Sequence, residues 1–309
     1  MKSNLPSVLA AVCTPIVDSG RPDFDAFDRV LDFVLERGIE GIVVGGATGE
    51  YPHFDIGDRA KLAVRAVQRV AGRGKVVVCT GTSSISTTLR LTQEAADSGC
   101  DGLLLPMPYY FRYKQEDLAA FCETVCASVS LPCLLYNLPV FTNPIEVPTA
   151  IRLLETIPNL VGMKDSSGQV ENLAPLAAAR EKSEYSLFVG DDNLLLRALQ
   201  AGWDGVVSGM ACFVPEIILA LHRSYRDGDV EKASSLQAIL VELIQKVVAG
   251  LPTPWGVRLG LAMRGVSNGP MHLPLSRARQ RQMEEVRDQL AEWAAAHSLK
   301  LDEVWKTIA

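Results

Sequence analysis

The chain has 309 residues, 48% of them hydrophobic, a formal net charge of −6 and a pI near 5.4. That length can bury a sizeable core, as one large α/β unit with an appendix or as two ordinary domains. The acidic balance leaves no basic excess to neutralise phosphates, which argues against a nucleic acid or an acidic membrane surface as partner.

The apolar part of the N-terminus, Val8 to Val12, is too short for a signal peptide and runs into Thr14-Pro15, so it reads as a strand. No window holds the ~18 consecutive apolar residues of a membrane span. A soluble cytoplasmic protein is the expectation. Further runs rich in Val, Ile and Leu follow at Gly41–Val44, Val76–Cys79, Gly102–Leu105, Cys133–Leu135, Leu160–Met163, Leu187–Val189 and Gly205–Val207. With Val8–Cys13 they make eight candidate strands. Most lack alternation, as parallel strands covered on both faces do.

Amphipathic stretches fill the intervals. Asp55 can cap a helix from Ile56 to Val70, with Asp58 in its first turn. Gly38, Gly72 and Gly99 stand where helices should stop. Pro148 suits the first turn of a helix reaching about Ile157. After Val207 the pattern is helical only: Pro215–Tyr225, Val230–Val248, Trp255–Met263 and Ser276–Ala296. The fold class expected is α/β, a (β/α)8 TIM barrel over residues 1–226 that carries the active site. Residues 227–309 form a C-terminal helical appendix packed on it. An open doubly wound sheet is the alternative.

The seven cysteines, an odd number, are scattered through apolar stretches and read as buried reduced thiols. Cys122 and Cys126 lack companions at ligand spacing, so no metal site is expected. The histidines, His53, His222, His272 and His297, form no spaced cluster. His53 follows the second strand closely enough to touch a substrate.

In such a barrel the active site lies at the C-terminal ends of the strands. Lys164 directly follows the apolar run of strand six. A lysine partly desolvated in the barrel mouth can act, as its neutral amine, as a nucleophile toward carbonyls. The plainer reading is a lysine that snorkels to water or pairs with Asp165. Strand two ends in GGATGE, residues 45–50, where amides around Ala47 and Thr48 suit a small carboxylate. It matches neither a P-loop nor a dinucleotide fingerprint. A glycine-rich turn is its plainer reading. Tyr136 ends strand five, as a general acid/base or as packing. Tyr109 and Tyr110 sit on the loop after strand four, suggesting binding or a subunit contact. Asp191 and Asp192 after strand seven would repel phosphate; they cap the next helix, Leu194–Leu199, or meet sugar hydroxyls.

GGATGE, PYY, YNLP, GMKD and GDD occur in register after strands two, four, five, six and seven. Together they resemble the dihydrodipicolinate synthase/N-acetylneuraminate lyase family over almost the whole chain. The resemblance implies a homotetramer, a dimer of dimers, that needs no metal or organic cofactor. It implies that pyruvate, or the pyruvyl part of a longer 2-oxo acid, forms a Schiff base with Lys164. Tyr136 then shuttles protons, helped by Thr48 and by Tyr110 of a neighbouring subunit. Ala47 and Thr48 hold the substrate carboxylate, and Gly190 and Val207 match positions lining the pyruvyl pocket. Two positions depart from the pattern. Ala47 replaces a hydroxyl residue, and Phe141 stands where the synthases carry an arginine for the carboxylate of aspartate semialdehyde. An aromatic ring cannot make that bidentate pair. NLVGMKDSSG and GEYPHF look closer to the 4-hydroxy-2-oxoglutarate aldolase-like and sugar-acid members. The expectation is therefore a lyase acting beside a pyruvyl group, with 4-hydroxy-tetrahydrodipicolinate synthase as the alternative. A barrel that binds 2-oxo acids without catalysis is the competitor from another class.

Overall fold

Eight parallel strands close into a barrel in chain order: β1 (Val8–Ala11), β2 (Gly41–Val44), β3 (Lys75–Cys79), β4 (Gly102–Pro106), β5 (Cys133–Asn137), β6 (Leu160–Asp165), β7 (Ser186–Val189) and β8 (Gly205–Ser208). β8 returns to β1 through Val8↔Val206, Leu9↔Val207 and Ala10↔Ser208. That closure rules out the open sheet. The structure is a computed structural model and describes residues 3–247, 250–266 and 269–299.

The helices α1 (Phe24–Leu35), α2 (Ile56–Val70), α3 (Ile85–Asp97), α4 (Gln115–Ala127), α5 (Val147–Thr156), α6 (Leu173–Ala178), α7 (Leu195–Gln200) and α8 (Pro215–Arg226) alternate with the strands. Then come α9 (Val230–Val247), α10 (Trp255–Met263) and α11 (Arg277–Ala296). Val248, the expected end of the ninth helix, and residues 300–309 of the appendix lie outside the described residues. The caps follow local chemistry. The Asp55 side chain accepts from the Asp58 N–H at 2.8 Å to open α2. Ala71, at φ 47°, already takes the left-handed turn before Gly72. α7 begins one residue later than expected, because Asp192–Leu194 forms a 3-10 turn first. Among the described residues no helix is long and apolar enough to cross a membrane.

Both faces of the strands are buried. Leu9, Val43, Val77, Leu104, Leu134 and Val207 fill the barrel interior. Their neighbours Val8, Ile42, Val76, Leu103, Cys133 and Val206 pack outward in the core that also holds the helices. This two-sided burial is why the strands read as apolar runs. All seven cysteines are buried and free.

The pairing of β5 with β6 slips by one residue. Cys133 of β5 pairs with Leu160, but the next residue, Leu134, pairs with Gly162. Val161 is the extra residue of a β-bulge and still points into the interior. A one-residue insertion exchanges the faces of every later side chain. Met163 therefore packs outward, and Lys164 turns inward opposite Tyr136. A Cβ on Gly162 would collide with the Ser186 carbonyl and lie 2.9 Å from Leu134 Cδ2, so glycine suits the bulge.

Candidate active site

Lys164 and Tyr136 are register partners on β6 and β5. Both are buried, 4% and 2% exposed. The ammonium lies 4.3 Å from the centroid of the tyrosine ring, a cation–π contact. Asp165 does not pair with Lys164. It faces the other way, and its carboxylate accepts from the Asn137 amide at 3.0 Å, the Ser167 hydroxyl at 3.0 Å and the Asn172 amide at 3.1 Å. That network fixes the loop after β6 and leaves the lysine to the barrel mouth.

A cavity of about 260 Å³ opens above the lysine. Ala47, Thr48, Tyr136, Lys164 and Gly190, all expected at the site, line it. A side chain at Gly190 would collide with Ser166 Oγ, and its Cβ would lie 2.6 Å from Lys164 Cε. Lys164 thus requires the absence of a side chain there. Ser166 Oγ is buried against this wall without a hydrogen-bond partner.

The turn after β2 is tied by two backbone bonds: Gly49 N–H to Gly46 O and Glu50 N–H to Ala47 O, each 3.0 Å. Among the described residues the N–H groups of Ala47 and Thr48 have no acceptor. Two unsatisfied amides beside a buried ammonium suit a carboxylate. Thr48 Oγ1 lies 3.0 Å from where a Cβ of Gly209 would stand. Glycine there leaves room for the hydroxyl.

The two acidic residues divide their work. Asp191 accepts from the Asn193 N–H at 3.0 Å and starts the 3-10 turn, as the capping reading expects. Asp192 is buried, accepts from the Met210 N–H at 3.2 Å and keeps one oxygen unpaired. Burial pushes its carboxyl up to about 6, and the Ser208 hydroxyl and the Met210 amide pull it back.

Some expected residues stay away from the cavity. Val207 is fully buried in the barrel interior and is not among the lining residues. Tyr110 is 86% exposed at φ 80°, edge-on to Phe111, and does not line it either. His53 stacks on His272, ring centroids 4.2 Å apart, instead of entering the cavity. Other residues enter that were not expected individually: Leu138 and Ser166, inside the YNLP and NLVGMKDSSG motifs, and Val140, Ile244, Thr253 and Val257, without any sequence signal. Phe141 stands at the rim, 53% exposed. Among the described residues lining the cavity, Lys164 is the sole cation.

A closed parallel barrel with a lysine buried in its mouth defines a lyase of the class I aldolase type. Comparison with known proteins gives the family. The model of the Dihydrodipicolinate synthetase family matches residues 4–293. A 4-hydroxy-tetrahydrodipicolinate synthase of Oceanobacillus iheyensis is 31% identical over 291 residues, covering 94% of this chain and 98% of the relative. The solved 4-hydroxy-tetrahydrodipicolinate synthase of Methylacidiphilum fumariolicum SolV superposes with a TM-score of 0.86 at 33% identity, over 95% of this chain and 98% of that one. YagE of E. coli K12, a prophage protein of the dihydrodipicolinic acid synthase family solved in complex with pyruvate, gives a TM-score of 0.87 at 25% identity, over 94% and 99%. This chain belongs to the dihydrodipicolinate synthetase family. It is a lyase of that family's pyruvate-dependent, carbon–carbon type.

Proposed function

We propose that Lys164 is the imine-forming residue and that the reaction makes or breaks the bond next to a pyruvyl group. The observation that carries this reading is the buried ammonium over the Tyr136 ring, in a cavity bounded by two unsatisfied amides. In the proposed reaction, pyruvate's carboxylate rests on the Ala47 and Thr48 amides. The neutral Lys164 amine adds to the ketone carbon, loss of water leaves an imine, and a proton from solvent makes it a protonated imine. That imine is an electron sink. The methyl carbon loses a proton to the Tyr136 oxygen as the phenol passes its own proton to solvent, and the imine becomes an enamine. The enamine carbon attacks an aldehyde, the new alkoxide takes a proton, and water or internal attack frees Lys164. Cleavage is the same path reversed.

Two readings of the aldehyde have support. The curated relatives' names favour 4-hydroxy-tetrahydrodipicolinate synthase over the sugar-acid reading, with aspartate semialdehyde as the acceptor. The second reading rests on one observation. Phe141 and Val140 stand at the mouth with no cation beside them among the described lining residues. A carboxylate at the acceptor's far end would find no bidentate partner there, which favours an uncharged acceptor such as a hydroxyaldehyde. The test is a comparison of rates with pyruvate plus aspartate semialdehyde, and of cleavage of 4-hydroxy-2-oxo acids. A higher kcat/KM on the semialdehyde establishes the synthase; a higher one on an uncharged partner establishes the other reading. Loss of neither activity in Lys164→Ala would refute both.

The same reading assigns a cytoplasmic homotetramer in which Tyr110, exposed here, completes the proton relay of a neighbouring copy. Residues 1–226 would then form the catalytic barrel and 227–309 the extension.

A further inference from the structure

The Thr48 turn ends on a residue in an unusual conformation. Glu50 takes φ 53° and ψ 36°, the left-handed region that residues other than glycine rarely adopt. Its N–H closes the turn on Ala47 O, so its backbone angles set where Ala47 and Thr48 lie. The residue is buried, only 6% of it being exposed. It does not reach the cavity.

What holds it comes from 208 residues away. Arg258 donates to Glu50 Oε2 at 2.9 Å, with the two side chains 1% and 5% exposed. Arg258 lies on α10, so this helix holds Glu50 through its guanidinium. Arg258 also donates to the Pro270 carbonyl at 2.6 Å. The Gly269–Pro270 segment packs on Ile16 so tightly that a Cβ on Gly269 would overlap its carbonyl. Within α10, a Cβ on Gly260 would lie 2.7 Å from the Phe213 ring, so the helix packs closely there too. Burial raises the Glu50 carboxyl, and the Arg258 guanidinium opposes that rise.

We propose that Arg258 is a positioning residue for pyruvate: acting through Glu50, it holds the Ala47–Thr48 turn in the shape that binds the substrate carboxylate. The inference rests on the reading of Lys164 as the imine-forming residue. The segment after the barrel then belongs to the working site, through Arg258 on α10 and through the cavity wall of Thr253 and Val257. A displaced turn weakens carboxylate binding but leaves Lys164 able to react. Misplacement by ~1 Å is enough to cost about tenfold or more.

The test is borohydride trapping of pyruvate followed by intact mass, read as the half-saturating pyruvate concentration and the maximal trapped fraction. Arg258→Met is expected to raise half-saturation about tenfold or more with an unchanged maximum, and Arg258→Lys to restore part of the loss. The double variant Arg258→Met, Glu50→Gln removes both buried charges, so it folds where the single variant fails. Its half-saturation is expected to match Arg258→Met, because the two residues act in series. Arg264→Met, which breaks the Glu216 pair at the end of α10, is expected to lower Tm without moving half-saturation. Half-saturation within about twofold of wild type in the folded Arg258 variants, or independent and additive effects of the two sites, overturns the proposal. If wild type traps no pyruvate, the imine reading falls and takes this one with it; if wild type traps and the variants match it, only this one falls.

Discussion

Lys164 faces Tyr136 because β6 carries one residue more than β5 between Leu160 and Gly162. Without Val161 as the bulge, the inward position would pass to a neighbour and the lysine would point at the helices. The bulge also places Asp165 outward, where Asn137, Ser167 and Asn172 hold it away from the ammonium. A lysine followed by an aspartate thus becomes an amine that faces a cavity instead of its neighbour's carboxylate.

Gly190→Ala tests how closely that amine is fitted. The added methyl would meet Ser166 Oγ and lie 2.6 Å from Lys164 Cε. The expected result is a folded protein whose rate of imine formation falls roughly 10²-fold, the scale of a 1 Å misplacement. Stopped-flow trapping with pyruvate measures it, and an unchanged rate would mean that the lysine has another productive position.

Tyr136→Phe keeps the ring under the ammonium and removes only the hydroxyl. Binding and imine trapping are expected to persist, while kcat falls about 10²–10⁴-fold, the usual worth of a positioned acid/base. Equal loss of trapping and turnover would assign the tyrosine to packing.

Asp192 gives a pH dependence with a definite sign. Burial raises its folded carboxyl to about 6, above the ~3.9 of an unfolded aspartate. The native state therefore binds that proton more tightly. Its contribution is fully present below the unfolded value and is lost as pH rises through about 6. Asp192→Asn removes the penalty, so its stability advantage over wild type should grow between roughly pH 4 and 6 and then level, reaching on the order of 3 kcal/mol. His272, which burial, His53 and Arg258 lower to about 4, acts oppositely: it stabilises above the ordinary histidine range and the contribution is lost as pH falls toward 4. Both proteins share it, so it cancels in the difference. Urea melts across this range check the point; a flat difference would contradict it.

Phe141→Arg addresses the acceptor. A guanidinium at the rim offers the bidentate partner that the described wall of the wild-type cavity lacks. Half-saturating aspartate semialdehyde is expected to fall about tenfold, as one charge-assisted bond of roughly 1.5–3 kcal/mol allows. No change would place the acceptor's carboxylate elsewhere.

The barrel was legible because burial on both faces turns each parallel strand into an apolar run, as in Gly41–Val44 and Gly102–Leu105. The same property hid the bulge. In Leu160–Met163 every residue is apolar, so the sequence does not show which ones face inward. Lys164, Tyr136, Thr48 and Ala47 could be read from their places after the strands, and Gly190 from the family resemblance. Thr253 and Val257, and the grip of Arg258 on Glu50, could not. They depend on how α10 docks across more than 200 residues of chain, and helix periodicity carries no such information. His53 and His272 likewise meet only in three dimensions.

The most direct measurement is the intact mass of the protein after incubation with pyruvate and borohydride, followed by peptide mapping. The expected result is a gain equal to pyruvic acid less one oxygen atom, confined to the peptide that contains Lys164 and absent from Lys164→Ala. No gain on wild type, or a gain that persists in the alanine variant, would contradict the central claim.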